Sequence, residues 1–368
     1  MEKAKVYFTD LHTNPDNNIY KKLDRLITKA GIDQIDFKDK IVAIKLHFGE
    51  YGNLAYLRPN YTKIVADHIK KQGGKVFLTD CNTLYPGGRK NALEHLETAY
   101  LNGYNPFATG CHVIIGDGIR GEDDVAVPIN GGEYCKEAYI GRAVMDADIF
   151  VSMNHFKGHD FAGFGGALKN IGMGCGSANG KADMHSNGLP EAVPEACIGC
   201  GICVRNCGSD AITLVNKKAV VDPKKCRGCA RCIGVCPKSA MKPVEENGGA
   251  LMNYKIAEYT KAVLDGRPNF HISFVVDVSP SCDCLPSNDV PLVGNVGIFA
   301  SFDPVALDVA CADAVNKQSP VKGSVVEHNH EGKDHFCFAH PDSDWRTCTA
   351  HAEKIGLGVQ EYELIEVK

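Results

Sequence analysis

Two stretches of this chain, CIGCGICVRNC from Cys197 and CRGCARCIGVC from Cys226, repeat one spacing, C-x2-C-x2-C-x3-C. The offset between them is 29 residues at every cysteine, so the stretch is an internal duplication. This is the spacing of iron–sulfur ligands, in which the fourth cysteine of each run serves the other cluster. It assigns Cys197, Cys200, Cys203 and Cys236 to one [4Fe-4S] cluster. It assigns Cys226, Cys229, Cys232 and Cys207 to a second. A module of about 40 residues is at the size where metal or disulfides usually have to supply the core. Gly199, Gly201 and Gly228 let the backbone come close enough for N–H groups to reach the sulfurs. Two zinc sites are the alternative, but zinc usually separates its C-x2-C pairs widely.

Either side of this stretch the pattern is different. KVYFT from Lys5, IVAIKLHF from Ile41, KVFLTD from Lys75 and HVIIGDG from His112 read as strands. So do DIFVSMNHF from Asp148, FHISFVVDV from Phe270 and VGIFASF from Val296. Between them lie helical periodicities. Tyr61, Ile64, Val65, His68 and Ile69 form one; Ala92 to Tyr100 is a second; Met252, Ile256, Tyr259 and Val263 mark a third. A fourth starts at Asp303-Pro304, an N-cap followed by proline at the first helical position. Strands alternating with helices predict an α/β fold, a mostly parallel sheet with helices on both faces. The cysteine-rich stretch interrupts it as a small α+β ferredoxin-like two-cluster insert. The expected division is 1–190 for the first part of the host domain, 191–247 for the insert and 248–368 for the second part. Three successive domains are the other arrangement the pattern admits.

The 17 cysteines and the absence of a signal peptide at MEKAKVYFTDLH point to a reducing, cytoplasmic location. No apolar run approaches the ~18 residues of a membrane span. A net charge of −5 and a pI near 6.3 give no general case for nucleic acid or an anionic membrane. Charge is nevertheless lopsided near the second cysteine run. Lys217, Lys218, Lys224, Lys225, Arg227, Arg231, Lys238 and Lys242 face one acid, Asp222. No aromatic residue interrupts them, which speaks against base stacking. They are either solvated charge around anionic clusters or a docking face for an acidic redox partner, such as a ferredoxin or flavodoxin.

Two segments outside the insert carry candidate chemistry. After the strand DIFVSMNHF, Gly158, Gly163, Gly165 and Gly166 lead into a helical ALKN, with Lys169 in its first turns. Glycines at a strand-to-helix turn would turn backbone N–H groups toward an external anion. His155, His159 and His185 surround this segment, with Lys45, His47 and Glu50 at another strand end. The second segment is SPSCDCLP from Ser279. Cys282 and Cys284 follow a strand, at the edge where open α/β sheets place ligands. They are too close for an unstrained disulfide. Either they ligate a third metal ion together with histidines, His185 among them, or one is a reactive thiol in the pocket. Asp283 would bind metal, orient a histidine or cap the turn. Cys81, Cys111, Cys135, Cys311, Cys337 and Cys348 are expected as buried small hydrophobes.

The cysteine-rich stretch closely resembles a bacterial two-cluster ferredoxin, except that Gly208 stands where that family has proline after Cys207. This frees the turn and admits water near the second cluster, so the two clusters need not have equal potentials. The remaining phrases include IKLHFGE, LTDCNTLYPGGRKNALEHL, IGDGIRGEDD, GFGGALKNIGMGCGSANGK, VSPSCDC, GIFASFDPVALDVAC and HPDSDW. Together they resemble the domain-of-unknown-function family 362, in its form with an inserted ferredoxin module. That resemblance implies an iron–sulfur protein with an α/β host and names no substrate. The leading expectation is an iron–sulfur electron-transfer protein or oxidoreductase, passing electrons between a carrier and a pocket holding Lys45, His47, His155, His159, Lys169, Cys282 and Cys284. The alternative is a metal- or cluster-handling accessory or sensing factor. No flavin or nicotinamide motif is present, which leaves open only a flavin bound without one.

Overall fold

The computed structural model describes residues 3–185, 189–226, 228, 231–244, 248–329 and 332–368. Eight strands form one sheet: β1 (Ala4–Thr9), β2 (Ile41–Lys45), β3 (Lys75–Asp80), β4 (His112–Ile115), β5 (Ile149–His155), β6 (Asn269–Val275), β7 (Gly297–Ser301) and β8 (Tyr362–Glu366). Their order is β8-β1-β7-β6-β5-β2-β3-β4. Only β7 runs against its neighbours; the other pairs with described register are parallel. All seven expected strands are present. β8 was not expected: YELIE is short and has no buried position, and its pairing with β1 at the sheet edge is what makes it a strand.

The sheet separates two apolar layers. In β2, Val42 and Ile44 face one layer and Ala43 the other; in β5, Ile149 and Val151 alternate with Phe150 in the same way. The first layer is covered by Leu23, Leu26 and Ile27 of helix Ile19–Lys29 and by Ile64, Val65 and Ile69 of helix Pro59–Lys71. The second is covered by helices Ala167–Cys175, Gly248–Leu264, Pro304–Asn316 and Arg346–Lys354. Met252, Ile256, Tyr259 and Val263 are buried there. Asp303 caps its helix through the N–H groups of Val305 and Ala306, with Pro304 at the first position. Helices therefore cover both faces of a mostly parallel sheet. No helix among the described residues is long and apolar enough to cross a membrane.

β5 precedes the cysteine-rich stretch and β6 follows it, yet they are paired side by side, Phe150 with Asn269 through His155 with Phe274. The stretch between them holds an antiparallel strand pair, Pro190–Ala192 with Met241–Pro243, and a small hairpin, Ile212–Val215 with Lys218–Val221. Its own apolar cluster is Cys197, Cys203, Ile212, Ala219, Cys232, Ala240 and Met241.

Candidate active site

The C-terminal ends of β2, β3 and β5 and the turn beyond β6 open onto one cavity of about 130 Å³. Lys45, His47, His159, Lys169, Cys282 and Cys284 all line it, and so does His185. The sequence had scattered these residues over some 240 positions; parallel strands bring their ends together because every crossover returns the chain to the same edge. Leu84, Phe161, Met173, Met252 and Leu285 supply an apolar part of the wall. Sequence reasoning missed Asp80, Tyr85, Arg89, Lys157, Asp160 and Lys181, which also line it. Asp80 ends a strand and so was open to the same reasoning as Lys45. The others sit on loops, a helix and, for Lys157, a short hairpin strand that only the packing aims inward. Arg231 comes from the cysteine-rich stretch, reaches the same cavity and lies over the Tyr85 ring, 5.0 Å from its centroid.

The Cys-Asp-Cys turn is locked from behind. Asp283 is fully buried; His155 Nδ1 lies 2.9 Å from both of its oxygens and Lys157 Nζ donates to it at 3.1 Å. Burial alone would raise this carboxyl, but His155 and Lys157 hold it far below the usual carboxylate range. His155 thus sits behind the turn, with Nε2 donating to the Val276 carbonyl, and does not line the cavity. Asp283 orients a histidine, one of the three roles expected for it. The Glu50 N–H donates to the Asp283 carbonyl, while the Glu50 carboxylate takes the Gly88 N–H and Arg89 Nε.

In front, Lys169 Nζ lies 3.5 Å from Cys282 Sγ. A hydrogen bond from Cys284 pulls the Cys282 thiol well below its ordinary value, against burial, with help from Lys169 and Lys157. The same bond, with burial, pushes Cys284 well up. The two thiols are thus pushed in opposite directions. His159, Cys282 and Cys284 offer ligand atoms within 4.8 Å of one another, close enough to share a single metal ion. His185 lies on the cavity wall but outside that group. Burial, with Lys169 close by, pulls His185 down to about 4.

The glycine-rich segment differs from expectation. Lys157–His159 and Gly163–Gly165 form a short hairpin before helix Ala167–Cys175. The helix N-terminus does not face an external anion: the N–H groups of Ala167 and Leu168 donate to the Asp308 carboxylate at 2.6 and 2.9 Å. A Cβ at Gly166 would come 2.2 Å from that carboxylate, so glycine is required by the chain's own anion. Burial raises Asp308 to about 7 even with these donors. Gly158 likewise admits the Pro280 carbonyl, which a Cβ would meet at 2.2 Å, and so seats the hairpin on the cysteine turn.

In the cysteine-rich stretch, Cys197, Cys200, Cys203 and Cys236 line one small cavity together. The duplication is visible in the backbone. Gly199 and Gly228 share a φ of 67°, and the N–H groups of Ala211 and Ala240 donate to Cys207 and Cys236 Sγ, both at 3.2 Å. The Gly228 N–H lies 3.4 Å from Cys226 Sγ, and the thiol of Cys226 feels Cys207 across the duplication. Cys229 and Arg227 lie outside the described residues, as does 245–247 of the expected boundary. Gly208 is exposed, yet a Cβ there would come 2.9 Å from the Leu84 carbonyl: close approach of the host chain accounts for glycine at this position. Lys217, Lys224, Lys225, Lys238 and Lys242 are exposed, whereas Lys218 donates to the Cys197 carbonyl and Arg231 turns to the cavity. Of the scattered cysteines, five are buried as expected; Cys337 is half-exposed and Cys81, though buried, reaches the cavity wall.

The family described as "Domain of unknown function (DUF362)" matches residues 42–313. No curated protein matches the chain in sequence. Among solved structures, the lactate racemase apoprotein from Thermoanaerobacterium thermosaccharolyticum is 14% identical with a TM-score of 0.38, over 73% of this chain and 50% of that one. A protein from Thermotoga maritima is 12% identical with a TM-score of 0.41, over 83% and 59%. The chain thus spans between half and three-fifths of the length of these structures.

Proposed function

The chain belongs to the DUF362 family, for which no activity is described, and from its own residues we propose that it is an iron–sulfur oxidoreductase. Cys197, Cys200, Cys203 and Cys236 would hold one [4Fe-4S] cluster, and Cys226, Cys229, Cys232 and Cys207 the second. Each cluster, when bound, supplies one-electron transfer. The observation that carries this reading is Arg231, one residue from Cys232, in the wall of the host cavity. Cysteines with cluster spacing and a cavity with a perturbed thiol pair are thereby brought to one place. The fit of the first cysteine set rests on the shared small cavity and on backbone N–H groups aimed at sulfur. His159, Cys282 and Cys284 would give three of the four ligands that a tetrahedral ion takes, beside the position where a small molecule would react.

The exposed lysines Lys217, Lys224, Lys225, Lys238 and Lys242 suit an acidic electron carrier of the ferredoxin or flavodoxin class. Anaerobic purification should give about eight irons per chain, the content of two cubanes. The Cys282→Ser/Cys284→Ser pair should keep that iron and lose any additional ion. Reduction by a reduced carrier should slow several-fold between low and physiological salt, as steering between opposite charges does. Colourless, iron-free protein would end the redox reading; transfer of the clusters to an apo-acceptor in place of reversible reduction would favour an accessory role.

A further inference from the structure

Among the described residues, six cationic side chains line the host cavity. Three are matched by carboxylates: Lys45 by Asp80 at 3.0 Å, Arg89 by Glu50 at 3.1 Å and Lys157 by Asp283 at 3.1 Å. The other three, Lys169, Lys181 and Arg231, have no carboxylate at ion-pair distance among the described residues. Lys169 leans on Cys282 Sγ, Lys181 donates to the Gly176 carbonyl, and Arg231 lies on the Tyr85 ring with a buried Nε that has no hydrogen-bond partner. Among the described residues, the one wall carboxyl not already in an ion pair with a lysine or arginine is Asp160, 3.8 Å from His340.

Two histidines add donors. His159 Nδ1 accepts the N–H groups of Phe161 and Ala162, both at 3.1 Å, and His47 Nδ1 accepts that of Gly49 at 2.9 Å. A neutral ring that accepts at Nδ1 carries its proton on Nε2, so each ring has an N–H left to give. Unmatched cations beside apolar side chains are costly unless a ligand brings the opposite charge, and the low dielectric there strengthens that attraction.

We infer that the cavity binds a small anion, carboxylate or phosphate, with Lys169, Lys181 and Arg231 as its cationic partners, the Nε2–H of His47 as a further donor and, where no ion occupies the His159–Cys282–Cys284 group, that of His159 as another. This names the substrate class for the site proposed above and rests on that reading. Arg231 brings a planar fork suited to two oxygens at once. Because it is carried by the cysteine-rich stretch, anion binding and the docking of that stretch on the host reinforce each other.

The test is calorimetric titration of the full, iron-loaded chain with malonate, with inorganic phosphate and with the neutral malonamide. One of the two anions should bind saturably and at least about ten-fold more tightly than malonamide, and which of them does tells carboxylate from phosphate. Lys169→Gln and Arg231→Gln should each weaken it about ten-fold, the loss of one charge-assisted hydrogen bond. Lys169→Arg should retain most of it, and Lys29→Gln, an exposed lysine on helix Ile19–Lys29, should change nothing. Malonamide binding as tightly as the anions, neither anion binding, or full affinity in Lys169→Gln would each overturn the inference. Paramagnetic resonance of the reduced protein separates it from the redox reading. Reducible clusters without anion binding would remove only this inference; anion binding beside clusters that resist reduction would remove only the other.

Discussion

Cys282 and Cys284 sit in a wall whose neighbours are already fixed. Asp283 between them is clamped by His155 and Lys157, the Glu50 N–H holds its carbonyl, and the Leu285 N–H closes the turn onto the Cys282 carbonyl. Cys197, Cys203 and Cys232 are themselves the material on which the cysteine-rich stretch packs, with Ile212, Ala219, Ala240 and Met241 beside them in its small cluster. The host can hold its sulfurs in place with nothing bound, because two apolar layers and buried ion pairs position them. The cysteine-rich stretch has no comparable core, so whatever its sulfurs hold is also what keeps it folded.

The widest separation between the two should come from removing iron. Anaerobic chelation should abolish amide-exchange protection across residues 190–244 while β5 and β6 keep theirs. Protection that survives there without iron would mean the stretch has a core of its own. Next in size is the clamp on the host side. Asp283→Ala leaves Lys157 buried without its carboxylate, and breaking such a pair costs about 3–5 kcal/mol. Urea unfolding of the host should show a loss of that order, with iron content unchanged; a loss below about 1 kcal/mol would mean that water already reaches Lys157. The smallest effect belongs to the seam between the regions. Gly208→Ala sets a Cβ 2.9 Å from the Leu84 carbonyl, and overpacking of this kind costs about 1–3 kcal/mol. Expected is the lower end, because a surface module can tilt away. Faster exchange or proteolysis around residues 84–86, with the host's unfolding midpoint unmoved, would show it.

Legibility in the sequence followed the range of the interactions. Strand alternation and helix caps are local, so seven strands and the Asp303-Pro304 helix start were readable; β8 was not, because its partner β1 lies some 360 positions away. Lys45, His47, His159, Lys169, Cys282 and Cys284 could be named because they sit at strand ends or beside glycines and each other. Arg89, Lys181 and Arg231 could not, since nothing in their own neighbourhoods says which way they point. The glycine segment misled for a related reason. The expected N–H donors at the helix start exist, but their anion is Asp308, 141 positions from Ala167 on another helix.

By itself the sequence settles the duplicated ligand spacing, the alternation that makes a parallel sheet and the kinship carried by its distinctive phrases, because each of these is written within a few residues or a short repeat. Tertiary structure alone decides that the Cys-Asp-Cys turn is clamped by His155 and Lys157, that Asp308 fills the helix terminus, and that a cation of the cysteine-rich stretch enters the host cavity. Those depend on which distant charges are buried together, and burial is a property of the folded chain.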